Sequence, residues 1–343
     1  MAGPDLVSAA AALLVRGLRD PLWMERLTSD QWSALVTAAR AESLLATLAV
    51  RAAGLRLPGE VSALLEAARR DAERVRTQAL WEAEMARRAL APLGVPVILL
   101  KGTAYAAAGV AAGQGRSIGD LDILVPRDRI GEVQEALLAA GWEWVKEDAY
   151  DDLYYRRWMH ELPPLIHKER DRMIDVHHSI LPLTARRRPD PEALIAHSIA
   201  LKNGLRVLAP ADMVIHSAAH LFADGDLAGG LRNLWDLDRL LREFGTRPGF
   251  WNELRGRARV HQLSDAVARS LRLAAAIFQT PVDDACAGKA RFSDRLFRRR
   301  LLARNGWGQQ TRPLTRLGFY VRSHWIRMPP WLLARHLWVK AGR

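Results

Sequence analysis

Two aspartates one residue apart, Asp120 and Asp122 in RSIGDLDILV, stand at the mouth of an apolar run made by Leu121, Ile123, Leu124 and Val125. In a strand, residues two apart share a face and lie roughly 6.6–7 Å apart along the backbone, so the spacing predicts that both carboxylates project together. Carboxylates held that close raise each other's pKa unless a cation lies between them. A hard dication such as Mg²⁺ supplies that charge and keeps coordination positions open for phosphate oxygens. Neutralising either acid is then expected to leave the fold as stable as before, or more so. A third acid, Asp175, lies among Met173, Ile174 and Val176, where a lone inward carboxylate is costly without a partner. If its strand lies beside the first, three carboxylates converge.

Cations and a glycine stand nearby in sequence. Gly102 follows the apolar VPVILL and Lys101 and opens a helix-like segment, where it permits a phosphate to approach backbone N–H groups at the helix start. Lys101 and Arg116 add positive charge at the same place. His177 has the parity of Asp175 and shares its face, as a residue lining the site or simply packed there. His216 and His220 have the i, i+4 spacing of zinc ligands, but no glutamate lies between them and no third ligand is near, so they read as packed or site-lining histidines. Asp236 and Asp238 repeat the Asp-x-Asp spacing on a helix. There they diverge by about 200°, so a partner such as Arg232 or Arg239 is expected instead.

These residues need a sheet to gather them. Residues 93–182 supply one, with strands at VPVILL, DLDILV and WEWV and a hairpin in which PLIHK and RMIDVHH flank the turn ERDR. Residues 1–92 read as helices: Pro4 suits a first turn, Ser29 and Asp30 cap a second helix that Gly54 ends, and Pro58 opens a third. Residues 183–290 return to helices, with one short strand at LRVLAP, and complete the site. The fold class is α+β, a mixed-sheet core between a helical N-terminal unit and a helical C-terminal region.

Composition bounds the setting. A chain of 343 residues that is 49% hydrophobic can bury a large core. Its single cysteine, Cys286, excludes an intrachain disulfide and a cysteine zinc cluster, which suits a reducing compartment. The N-terminus places Asp5 before its apolar stretch and Arg16 after it, the reverse of a signal peptide, and no apolar run is long enough to span a membrane. A cytoplasmic location is expected. Residues 291–343 hold thirteen Arg and Lys and one acid, Asp294, so this segment accounts for the whole net charge of +12. Its tryptophans, Trp307, Trp325, Trp331 and Trp338, interleave with the arginines. They fit either contact with an anionic membrane or nucleic acid, or helices packed on the body with a solvated basic face.

Taken together, ILLKGTAY, RSIGDLDILV and IDVHHSI, followed by LAPADMVIHSAAHLF and LWDLDRLL, resemble the bacterial family of uncharacterised nucleotidyltransferases. That family is similar in turn to the superfold of DNA polymerase β and the aminoglycoside nucleotidyltransferases. The resemblance implies that Asp120 and Asp122 hold two Mg²⁺ or Mn²⁺ ions, and that Asp175 is the third ligand, placed to activate an acceptor hydroxyl. Lys101, Gly102 and Thr103 would stand where the superfold has Gly-Ser and cradle the phosphates of an NTP, with Arg116 beside them. The Gly-Ser pair itself is absent, and Gly102 lies further from the Asp pair than the superfold usually places its glycine motif. The implied activity is metal-dependent transfer of a nucleoside monophosphate to a hydroxyl or phosphate acceptor, a small molecule or a peptide. The alternatives are a catalytically inactive binding module, or transfer of another phosphate-linked group such as a sugar.

Overall fold

A computed structural model of the chain describes residues 10–146, 155 and 157–327. Four helices lead: α1 (Ala10–Arg19), α2 (Ser29–Ala41), α3 (Leu45–Arg51) and α4 (Gly59–Leu90). The cap of α2 is Thr28, one residue before the expected Ser29. Its hydroxyl accepts from the Gln31 N–H at 3.3 Å, while the Gln31 side chain accepts from the Thr28 N–H at 3.0 Å, the reciprocal bonds of a capping box. The helix expected to run on to Gly54 is broken, because Ser43 takes φ +55° and divides α2 from α3. The helix start expected at Pro4 lies outside the described residues.

The sheet is then built from β1 (Ile98–Leu99), β2 (Leu121–Leu124), β3 (Trp142–Trp144), β4 (Leu165–His167) and β5 (Met173–His177), with α5 (Lys101–Ala107) after β1 and α6 (Ile130–Ala139) after β2. Helix α7 (Pro191–Ala196) precedes β6 (Ile199–Ala200) and β7 (Arg206–Val207). The strand order is β3-β4-β5-β2-β1-β7-β6. β4 and β5 form the hairpin that the charged turn predicts, and β7 is the short strand within LRVLAP, pairing parallel to β1. β6 has no clear signal in the sequence: both its residues are exposed, so no buried alternation marks it. The central pairing is β2 beside β5, parallel and fully buried along β2.

Helices α8 (Pro210–Ala219), α9 (Gly230–Phe244), α10 (Phe250–Val260), α11 (Ser264–Phe278), α12 (Asp284–Ala287), α13 (Phe292–Leu301) and α14 (Pro313–Arg327) follow. The basic C-terminal segment is joined to the body through its described part. Phe297 of α13 packs edge-on between Phe222 and Phe319, Arg304 Nε lies 2.6 Å from Glu42 Oε1, and the Thr184 hydroxyl donates to the Arg327 carbonyl at 2.6 Å. Trp331, Arg335 and Trp338 lie outside the described residues. Among the described residues no helix is long and apolar enough to cross a membrane.

Buried ion pairs tie these layers together. Asp236 on α9 takes both Arg232 and Arg116, and Arg232 also donates to the Thr47 hydroxyl at 2.5 Å, which itself donates to the Gly115 carbonyl at 3.0 Å. Asp238 is held by Arg239, by Arg242 at 2.9 Å and by Thr280 at 2.6 Å. The second Asp-x-Asp is thus a structural pair whose members reach different arginines. Removing the shared carboxylate strands two buried guanidinium groups, so Asp236→Asn should lower stability by about 3–5 kcal/mol in urea denaturation. An unchanged midpoint would remove this network from the account of what holds the fold.

Candidate active site

The register of β2 and β5 sets Asp122 beside Asp175 and Leu124 beside His177. Neighbouring strands lie roughly 4.8 Å apart, so the two acids are held as a couple. His177 turns Nε2 toward Asp122 Oδ1 at 3.0 Å, and its Nδ1 lies 3.2 Å from Glu161 Oε2. The Lys101 ammonium reaches the same Asp122 oxygen at 2.6 Å. It does so because the Leu100 N–H donates to the Asp122 carbonyl at 3.0 Å, which brings the end of β1 alongside, and Lys101 then takes φ +48°. A left-handed conformation costs a non-glycine residue about 1–2 kcal/mol. The strain sits where a positive charge is needed.

The two acids resolve their repulsion unequally. Burial opposes charge on Asp122, yet the His177 hydrogen bond and the Lys101 ammonium outweigh it and hold this carboxyl well below the usual range. Asp175 moves the other way: burial first, then the charge of Asp122, push it up to about 6. Burial opposes charge on Lys101 too, but Asp122 raises its pKa and keeps it an ammonium. His160 and His216 are neutral, since burial leads and the neighbouring His177 and Lys101 add to it in holding both well below the ordinary histidine value.

Asp120 stands at the bend before β2 and is exposed. Asp122 is coupled across the two strands to Asp175, and Asp120 stands one residue before β2 begins at Leu121. Asp120 still feels the cluster, its pKa raised by partial burial and then by Asp122.

Of the residues expected to hold phosphate, Lys101 alone reaches the acids. Arg116 is committed to Asp236. Gly102 is buried, and a Cβ there would meet Arg116 Nε at 2.6 Å and Ile118 Cγ1 at 3.2 Å; the missing side chain makes room for Arg116 on its way to Asp236. Thr103 is buried too, its hydroxyl enclosed without a hydrogen-bond partner among the described residues. Glu161 and His160, which do join the site, carry no signal in the sequence. They lie in a polar stretch with no periodicity, and backbone bonds to β5 and the residues after it bring them in, with the His178 N–H donating to the His160 carbonyl at 2.8 Å and the Leu162 N–H to the Val176 carbonyl at 2.9 Å.

Oxygen and nitrogen donors of Asp122, Asp175 and His177 lie within 4.8 Å of one another, as do those of His160, Glu161 and His177. Asp122 is buried, so this is not an ordinary exposed acidic cluster. A buried and a half-buried carboxylate, the second raised in pKa by burial and then by the first, fit a hard divalent cation. Any cation taken up at Asp122 competes with Lys101 for Oδ1.

A family model described as uncharacterised nucleotidyltransferase matches residues 28–279. No curated protein matches the chain.

Neutralising the two acids should have opposite effects on the protein in chelator. Asp175 binds a proton more tightly folded than unfolded, so its charge becomes a burden as pH rises from 3.8 to about 6. Asp175→Asn should therefore gain stability over that window, on the order of 1–3 kcal/mol, keep the gain above it and lose it below. Asp122 is depressed, so it contributes stability at neutral pH that is lost as pH falls into the acid range. Asp122→Asn should cost on the order of 1–3 kcal/mol at pH 7.5 by leaving Lys101 and His177 short of a partner. For Asp122 this corrects the expectation from repulsion alone. Thermal melts across pH check both, and shifts of the same sign would contradict the unequal sharing of charge.

Proposed function

The chain belongs to the uncharacterised nucleotidyltransferase family, and on that premise we propose that it transfers a nucleoside monophosphate from an NTP to an acceptor hydroxyl or phosphate. The observation that carries the reading is the parallel pair Asp122 and Asp175, one buried and one half-buried acid in register beside one ammonium. Asp122 and Asp175 would hold a divalent cation, Mg²⁺ or Mn²⁺, with His177 behind Asp122 and Asp120 at the open edge. Such an ion, when bound, neutralises triphosphate charge and polarises oxygens on the α-phosphorus.

The chain's own groups carry the remaining tasks. Asp175, beside the place of the cation, is positioned to take the acceptor's proton. The acceptor oxygen then bonds to the α-phosphorus, the bond from the α-phosphorus to the bridging oxygen breaks, and pyrophosphate leaves with that electron pair. Lys101 offers its ammonium to charge growing on the phosphates. Its left-handed backbone aims it there without a flexible loop. His177 fixes the orientation of Asp122, with Glu161 behind it to hold the imidazole.

A second reading has its own support. Lys101 already satisfies Asp122, so the cluster is self-sufficient as a structural ion pair, as a catalytically inactive binding module would need. The two readings separate by experiment. With α-labelled NTPs, Mn²⁺ or Mg²⁺ and pooled small-molecule acceptors, the active reading predicts pyrophosphate release that chelator abolishes and that Asp122→Asn reduces by ~100-fold or more. Asp175→Ala should depress kcat more than nucleotide affinity. Lys101→Met should tighten Mn²⁺ binding by removing the competitor while lowering turnover. Release that is insensitive to chelator, or equal in Asp122→Asn, would sink the assignment.

A further inference from the structure

A cleft of about 280 Å³ opens between the segment that follows β5, the turn after α8, and helices α11, α13 and α14. Five of its lining residues are arginines, Arg186, Arg187, Arg269, Arg291 and Arg322, against one carboxylate, Asp265. Asp265 is shared at the rim by Arg187 at 3.4 Å and Arg291 at 3.2 Å. The deeper pair has less: Arg269 lies 3.5 Å from Asp294, whose nearer contact goes to Arg272 at 2.6 Å, and Arg322 donates through Nη2 to the Phe222 carbonyl at 2.5 Å. Arg322 Nη1 is buried with no hydrogen-bond partner among the described residues. Both guanidinium groups lie over the Phe297 ring, at 4.3 and 5.0 Å from its centroid, which holds two like charges around one side chain. A buried donor left unpaired costs on the order of 1–3 kcal/mol, and a cleft lined by guanidinium forks matches the geometry of phosphate oxygens.

We propose that this cleft is a binding site for a phosphate group, with Arg322 and Arg269 as its floor and Arg187 and Arg291 as its rim. The site uses none of the residues assigned to nucleotide transfer and stands without that assignment. Burial, and then the nearby Arg269, lower the Arg322 pKa to about 10, the direction expected of a cation whose counter-charge is an exchangeable ligand. The site gathers the charge of the C-terminal segment, since α13 and α14 bring Arg291 and Arg322 to arginines of the body. A soluble phosphate monoester and an anionic lipid headgroup share this chemistry. The lipid source has support in α14, where Leu314, Leu317, Val321 and Trp325 recur at helical spacing and are all exposed.

The test uses the full chain in chelator, with inorganic phosphate titrated against chloride at equal ionic strength so that screening is constant. Phosphate should raise the melting temperature in a saturable way, and Arg322→Gln should weaken its apparent affinity by ~10-fold or more, as loss of one charge-assisted contact implies. If Arg322→Gln fails to fold, the double variant Arg187→Gln with Arg291→Gln carries the test. Both side chains are more than half exposed, so their pairs contribute little to stability, and a severalfold loss of phosphate affinity is expected. Asp122→Asn should keep the phosphate effect, which separates this site from the acids of β2 and β5. A parallel arm measures sedimentation with phosphatidylglycerol vesicles and with phosphatidylcholine vesicles. Binding to the former alone, lost in the same arginine variants, assigns the phosphate to a lipid; a response to free phosphate without vesicle binding assigns it to a soluble monoester. If neither phosphate nor anionic vesicles distinguish wild type from the arginine variants, the site is overturned.

Discussion

The parallel register that lays Asp122 against Asp175 is the constraint from which the site follows. Two acids at strand spacing in a buried sheet cannot both ionise without help, and the structure helps one of them far more than the other. Lys101 and His177 converge on a single oxygen of Asp122, so the pKa values of the couple move apart. A pair of acids separated in this way has distinct roles open to it, one as a fixed negative ligand and one as a proton acceptor near neutrality. The same arrangement explains why Lys101 tolerates a strained backbone.

The surroundings keep that register in place. Leu100 and Val125 extend the ladder beyond β1 and β2 through bonds to Asp122 and His177 carbonyls, so both ends of the acidic couple are pinned by main chain. The approach to β2 is fixed separately: Arg116 runs past Gly102 to Asp236, and Thr47 bonds the adjacent Gly115 carbonyl. In this way the N-terminal helices, the loop before β2 and α9 meet at one buried carboxylate. The C-terminal helices close the far side, with Arg304 on Glu42 and Phe297 in an aromatic stack.

The placement of the acids is legible where it depends on local pattern. Asp122, Asp175 and the shared face of His177 follow from strand periodicity, and the hairpin of β4 and β5 follows from its charged turn. What a sequence conceals is direction in space. Gly102 and Arg116 look like a phosphate cradle because glycine and arginine serve that purpose elsewhere, yet here each explains the other: the glycine lacks a side chain where the arginine passes. Asp120 and Asp122 stand two apart in the sequence, but the first lies in the bend before β2 and the second within it. Glu161 and His160 carry no periodic signal and reach the site through backbone bonds to β5 and the residues just after it. The basic C-terminal segment looks like an appendage when charge is counted, while its aromatic side chains, invisible to that count, join its described part to the body.

The most direct test is anomalous diffraction from crystals soaked in Mn²⁺ with a non-hydrolysable NTP analogue. The account predicts an anomalous peak bonded to Asp122 and Asp175, with the Lys101 ammonium displaced from Asp122 Oδ1 toward the phosphates. No peak at the couple, with Lys101 still 2.6 Å from Asp122 at saturating Mn²⁺ and nucleotide analogue, would contradict it and leave the two acids as a structural ion-pair cluster.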